Sequence, residues 1–159
     1  MARSLSSSSQ KVQDILDTYE VTFEVVELPS STRTAREAAE SIGCDVSSIA
    51  KSLMFIGKQT SKAVMVIASG KNRVDEYLLT EAVGEEISLA DAKQVREVTG
   101  FAIGGVPPVG FTNPIPVYID ADLMECEEIW AAAGTPFSVF RLEPEDLKLL
   151  TDGKTIKIT

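Results

Sequence analysis

Helical and extended segments alternate along this 159-residue sequence, and two of the extended ones are joined as a hairpin. Together these features predict an α/β (α+β mixed) fold: a small mixed, barrel-like β-sheet surrounded by helices rather than a doubly wound parallel sheet. The apolar residues recur at helical spacing in some segments and form short continuous runs in others. Glycine and proline separate the two kinds.

The first helix is expected over residues 10–20, where Val12, Ile15, Leu16 and Tyr19 fall at i, i+3, i+4 and i+7. Residues 21–28 alternate, are rich in β-branched side chains and stop at Pro29, as a strand does. Thr34 followed by Glu37 is a capping box for a second helix with Ala35, Ala38, Ala39 and Ile42 on its apolar face and Gly43 as its stop. The apolar runs 51–56 and 63–68, joined by the polar turn 57–62, are expected to be a buried hairpin at the sheet centre. Helices are expected over 75–83 and 88–98, the second opened by Ser88 with Asp91 three residues on, and ended by Gly84 and Gly100. Residues 116–120 and 137–142 read as strands, and Pro144 opens a last helix over 144–150. Residues 1–9, with their serine run, are expected to fray, which leaves 10–159 as one domain.

Composition narrows the chemistry. The sequence has no histidine, so Ser-His-Asp, Cys-His and His-zinc mechanisms are excluded. Its two cysteines, Cys44 and Cys126, have neither metal-knuckle nor disulfide-framework spacing and read as reduced thiols of a cytoplasmic protein. No apolar run is long enough for a membrane span, and the first ten residues lack the apolar centre of a secretory signal. The net charge of −9 repels nucleic acid on average, which argues against DNA as a partner. Between Lys51 and Arg73, however, Lys58, Lys62 and Lys71 also occur and no acid does. That stretch suits either a phosphate-attracting face or a strand pair flanked by solvated lysines.

Two features could carry a site. The loop Gly104-Gly105-Val106-Pro107-Pro108-Val109-Gly110 combines glycines that admit close approach with prolines that stiffen the backbone, and such loops present N–H groups to an oxyanion. It equally suits a tight turn between strands. It is neither a Walker loop nor a Gly-x-Gly-x-x-Gly fingerprint, so a nucleotide cofactor has no support. Lys51 opens the run Lys-Ser-Leu-Met-Phe-Ile and suits a phosphate or carbonyl ligand as well as an exposed strand edge. Asp75 reads as a helix cap, and Trp130, beside three alanines, as core.

Five segments stand out when taken in order. They are Thr34-Ala35-Arg36-Glu37-Ala38-Ala39, Ile49-Ala50-Lys51-Ser52-Leu53, Val66-Ile67-Ala68-Ser69-Gly70 running to Asp75, Val98-Thr99-Gly100-Phe101-Ala102-Ile103 continuing through the 104–110 loop, and Ala133-Gly134-Thr135-Pro136. Together they resemble the YbaK/prolyl-tRNA-editing family of aminoacyl-tRNA deacylases. The resemblance implies a trans-acting hydrolase that cleaves a wrong small amino acid from the 3′ end of tRNA, without cofactor or metal. It implies Lys51 and Gly105 as catalytic residues, with Gly104, Val106, Pro108, Gly110, Asp75, Gly134 and Thr135 binding substrate. The lysine would hold the terminal adenosine and its phosphate, and the attacking water would be helped by a ribose hydroxyl. Implied partners are the tRNA acceptor end and an aminoacyl-tRNA synthetase, with no membrane. The chain departs from the family after Gly134, where some bacterial members carry basic residues and then a carboxylate. Here the residues are Thr135-Pro136-Phe137-Ser138-Val139. A non-catalytic binding module of the same fold is therefore the alternative.

Overall fold

The hydroxyl of Ser6 accepts the N–H of Ser9 and starts helix α1, Ser7–Leu16. The computed structural model describes residues 5–159. The fraying expected over 1–9 is thus corrected from Leu5 onward, and residues 1–4 lie outside the described residues. The serine run is a cap and first helical turn, because serine accepts the orphan N–H groups of a helix start. Ser9 is fully buried and donates to the Ser138 hydroxyl at 2.8 Å. The helix ends before residue 20 because Thr18 and Tyr19 donate three residues back, tightening the turn.

Strand β1 is shorter than the expected 21–28, spanning Val25–Glu27. The Gln13 side chain takes the carbonyl of Phe23 and the N–H of Val25, replacing a ladder there. Helix α2, Ala35–Ile42, begins and ends where expected, with Thr34 accepting from the Glu37 N–H and Gly43 closing it at φ +86°, but only half of the expected capping box forms, because the Glu37 carboxylate accepts from the Ser31 hydroxyl instead. Strands β2, Ile49–Gly57, and β3, Ala63–Ser69, form the expected hairpin, with Lys51 opposite Ala68. Helix α3 is Glu76–Val83, capped by Asp75. Ser88 does not open the next helix; it lies in β4, Ile87–Leu89, and Asp91 with Gln94 makes the capping box of α4, Ala92–Thr99. Strands β5, Val117–Asp120, and β7, Ser138–Leu142, and helix α5, Pro144–Thr151, lie close to where they are expected. Strands β6, Ile129–Ala132, and β8, Lys154–Ile156, are additions.

The eight strands form one mixed sheet in the order β1-β7-β6-β2-β3-β5-β8, with β4 paired to β2. The β2–β6, β3–β5 and β5–β8 pairs are parallel and the rest antiparallel. Both faces of the centre are buried. Met65 and Ile67 join the main core with α1, α4 and α5, whereas Val64, Val66 and Ala68 face Leu79 of α3. That two-sided burial is why β3 reads as a continuous apolar run. A third cluster packs Ala38 and Ala39 of α2 on Ile49.

Candidate active site

One edge of β2 is interrupted. Ile49 and Ala50 pair with Trp130 and Ala131 of β6, and Phe55, Ile56 and Gly57 pair with β4. Successive residues of a strand point their backbone groups to opposite edges. The Ile49 carbonyl accepts from Gly70, on the β3 side, and the Met54 carbonyl accepts from Ala90, on the other. Ser52 therefore faces the interrupted edge, between the end of β6 and the start of β4, with no strand beside it.

A cavity of about 320 Å³ opens at this gap. Lys51 and Ser52 line it from β2, Gly104 and Val106 from the glycine-proline loop, and Thr32 and Arg33 from the segment before α2. A smaller apolar recess of about 140 Å³ adjoins it, sharing Ser52, Gly104 and Val106 and reaching Met54, Met65 and Val95. Because the edge is open, side chains from both faces of β2 reach one space.

Lys51 lies between Ile49, which belongs to the α2 cluster, and Leu53 and Phe55, which belong to the α3 cluster. Its ammonium is half-buried, and burial pushes its pKa below the usual lysine value, partly offset by the nearby Asp120 carboxylate. Asp120 ends β5, one strand beyond Ala68 and on the same sheet face as Lys51. It is 2% exposed and is held by the N–H of Ser69 at 2.9 Å, the Asn72 amide at 2.8 Å and the N–H of Asp122 at 2.9 Å.

The loop is built on a turn in which the Gly105 N–H donates to the Ala102 carbonyl at 3.0 Å and Gly104 sits at φ +91°, where glycine is favoured. Neither Gly104 nor Val106 spends its N–H in a backbone hydrogen bond among the described residues. A Cβ on Gly104 would meet Arg33 Cγ at 2.8 Å, so the arginine stem lies over the turn. Gly105 faces away from the cavity: its carbonyl accepts from Gly134, and a Cβ there would meet the Thr135 backbone at 2.8 Å.

Of the residues expected from the sequence, the structure brings Lys51, Gly104 and Val106 together at the cavity. Gly105, Gly134 and Thr135 stand behind the loop, with the Thr135 hydroxyl 2.8 Å from that of Ser138. Pro108 is buried in the loop, Gly110 packs on Ile15 and Phe101, and Asp75 accepts from the Tyr77 and Leu78 N–H groups as a cap. None of these four supporting groups of residues lines the cavity. Trp130, expected in the core, is half-buried and contributes an apolar wall while packing on the α2 cluster. Lys58 and Lys62 flank the far turn of the hairpin, roughly 20 Å from Lys51 at ~3.3 Å per residue. Lys71 pairs with Asp122 at 3.9 Å. The acid-free stretch therefore gives the cavity one cation, and Arg33 gives the second. Both cysteines are free, their thiol pKa values pushed up chiefly by burial.

Thr32, Arg33 and Ser52 had no reading in the sequence. Ser52 carried a signal: it is the one polar side chain in the core-facing series Ala50, Ser52, Met54, Ile56.

Residues 29–150 match the model of the aminoacyl-tRNA editing domain. YwhH, an uncharacterised protein of Bacillus subtilis, is 33% identical over 131 residues, covering 82% of this chain and 83% of that one. EbsC of Enterococcus faecalis, named as a proposed Cys-tRNA(Pro)/Cys-tRNA(Cys) deacylase, is 26% identical over 162 residues, covering 100% and 98%. The crystal structure of a proposed trans-editing enzyme for prolyl-tRNA synthetase superposes with a TM-score of 0.91 at 47% identity, covering 98% and 99%. The chain belongs to the aminoacyl-tRNA editing domain family. Its class of chemistry is that of a hydrolase, the deacylation of aminoacyl-tRNA esters. No helix among the described residues is long and apolar enough to cross a membrane.

Proposed function

We propose that the protein is a trans-acting deacylase for tRNA mischarged with a small amino acid, acting in the cytoplasm, free or beside a synthetase. The observation that carries this reading is the convergence of Lys51, Gly104 and Val106 on one cavity at the open edge of β2. Lys51 and Arg33 hold the terminal phosphate and adenosine, and the acyl group lies along Gly104 and Val106 with its side chain in the apolar recess. Water attacks the ester carbonyl, the oxyanion is met by the free N–H groups of the turn, and the proton passes to the leaving ribose oxygen. Free amino acid and tRNA result. No histidine or carboxylate lines the cavity, so positioning and charge carry the rate, and a ribose hydroxyl of the substrate orders the water. Gly105, Gly134 and Thr135 act by holding the loop.

The test is a panel of purified aminoacyl-tRNAs, alanyl-, cysteinyl- and seryl-tRNA among them, with Lys51→Ala beside the native protein. Turnover of at least one member, reduced 100-fold or more by the substitution, is expected. Saturable binding with no turnover would replace the reading with a binding module.

A further inference from the structure

The cavity is charged with one sign only. Arg33, ahead of α2, and Lys51, on β2, are its charged groups; α2, β6, β7 and the 101–110 loop contribute none, and no aspartate or glutamate lines it. An α-ammonium placed here would meet two cations, and Asp120, the carboxylate near Lys51, does not line the cavity and accepts instead from Ser69, Asn72 and Asp122. The segment after Gly134 brings no acid either: it reads Thr135-Pro136-Phe137-Ser138-Val139, and Thr135 and Ser138 turn their hydroxyls to one another.

The polar groups left without partners are neutral. The hydroxyls of Thr32 and Ser52 are buried, make no hydrogen bond among the described residues, and belong to residues that line this same cavity. Thr32 is 6% exposed, so bulk water does not satisfy it. The N–H and C=O of Ser52 face the gap in the sheet at which this cavity opens. A hydroxyl both donates and accepts, so this set suits a group that also does both, such as a neutral amine or an alcohol. A buried polar group without a partner is rare, and what fills the cavity is its nearest source of one.

We infer that the site takes its acyl group by an uncharged α-substituent, so that 2-hydroxyacyl esters of tRNA are substrates alongside aminoacyl esters bound as the neutral amine. This rests on the deacylase reading above and extends its substrate class. The reaction balances in the same way: water cleaves the ester, giving a 2-hydroxy acid and free tRNA.

The experiment compares the aminoacyl-tRNA cleaved fastest in the panel with its 2-hydroxyacyl counterpart, alanyl- and lactyl-tRNA being the first pair, each corrected for uncatalysed hydrolysis. A kcat/KM for the hydroxy ester within tenfold of the amino ester is expected, and a larger loss overturns the inference while leaving the deacylase reading intact. Failure of every aminoacyl ester sinks the deacylase reading itself. Ser52→Ala and Thr32→Val should lower kcat/KM for both esters in parallel, about five- to fifty-fold, with melting temperature unchanged or raised. Loss confined to the amino ester would show that the hydroxyls serve an ammonium, and would overturn the inference.

Discussion

The N–H of Gly134 reaches the carbonyl of Gly105 at 2.9 Å. That bond joins the segment 133–138 to the loop that borders the cavity. Behind it, the Ser138 hydroxyl accepts from Ser9, meets Thr135 and donates to the Ala133 carbonyl at 3.0 Å. The loop is thus braced from α1 through residues 133–138, and the absence of a carboxylate there leaves the brace complete.

Gly105→Ala should cost stability and activity together. Its Cβ would meet the N and Cα of Thr135 at 2.8 Å, backbone that cannot turn aside. Overpacking of this kind costs about 1–3 kcal/mol. A melting temperature lowered by several degrees and a deacylation rate reduced at least tenfold are expected from thermal denaturation and single-turnover assays. An unchanged melting curve would refute the brace.

Ser138→Ala removes the centre of the brace and leaves the buried Ser9 hydroxyl without its acceptor. An unsatisfied buried group costs about 1–3 kcal/mol, and urea denaturation should report a loss in that range. Ser9→Ala in the same background should add less than it does alone, since the two act as a pair.

Asp120→Asn should move the alkaline limb of the pH–rate profile. Burial lowers the Lys51 pKa and Asp120 raises it. The cation is therefore lost as pH rises through a value already below that of free lysine, and removing the Asp120 charge shifts that loss to lower pH. Rates measured above neutrality, corrected for spontaneous ester hydrolysis, should fall earlier in the variant. An identical limb would show that Lys51 does not act as a cation.

Arg33→Ala should weaken tRNA binding about five- to tenfold and reduce the slope of log affinity against log salt by somewhat less than one, the signature of one phosphate contact. Lys58→Ala, at the far turn, should change neither. Equal effects from the two would place the phosphate elsewhere.

The fold was legible wherever a local signal decides it. Thr34 with Glu37, Gly43, Gly84 and Gly100 mark helix ends that the structure places where they were expected, because caps and left-handed stops depend on neighbouring residues alone. Ser88 misled because two acceptable caps lie three residues apart, and pairing of Ile87–Leu89 with β2 decided between them. Strands β6, Ile129–Ala132, and β8, Lys154–Ile156, escaped notice because runs of four and three residues are too short to show a period of two, and their state is set by the strands they pair with.

The site was legible in its parts. Lys51 and the loop stood out, but the cavity between them exists because Ile49 pairs with Trp130, eighty-one positions away, and stops pairing one residue later. Arg33 was not legible at all, since its place is set by the Gly104 turn beneath its stem.

The interrupted edge of β2 makes the sheet one rung short. An acyl group that takes up the N–H and C=O of Ser52 supplies the missing rung between β6 and β4, so loading the site and completing the sheet are one event. The loaded protein is then the more stable one, by an amount that grows with ligand concentration over Kd. On the proposed deacylase reading, product release would break that rung again, which would tie its rate to the strength of a sheet contact.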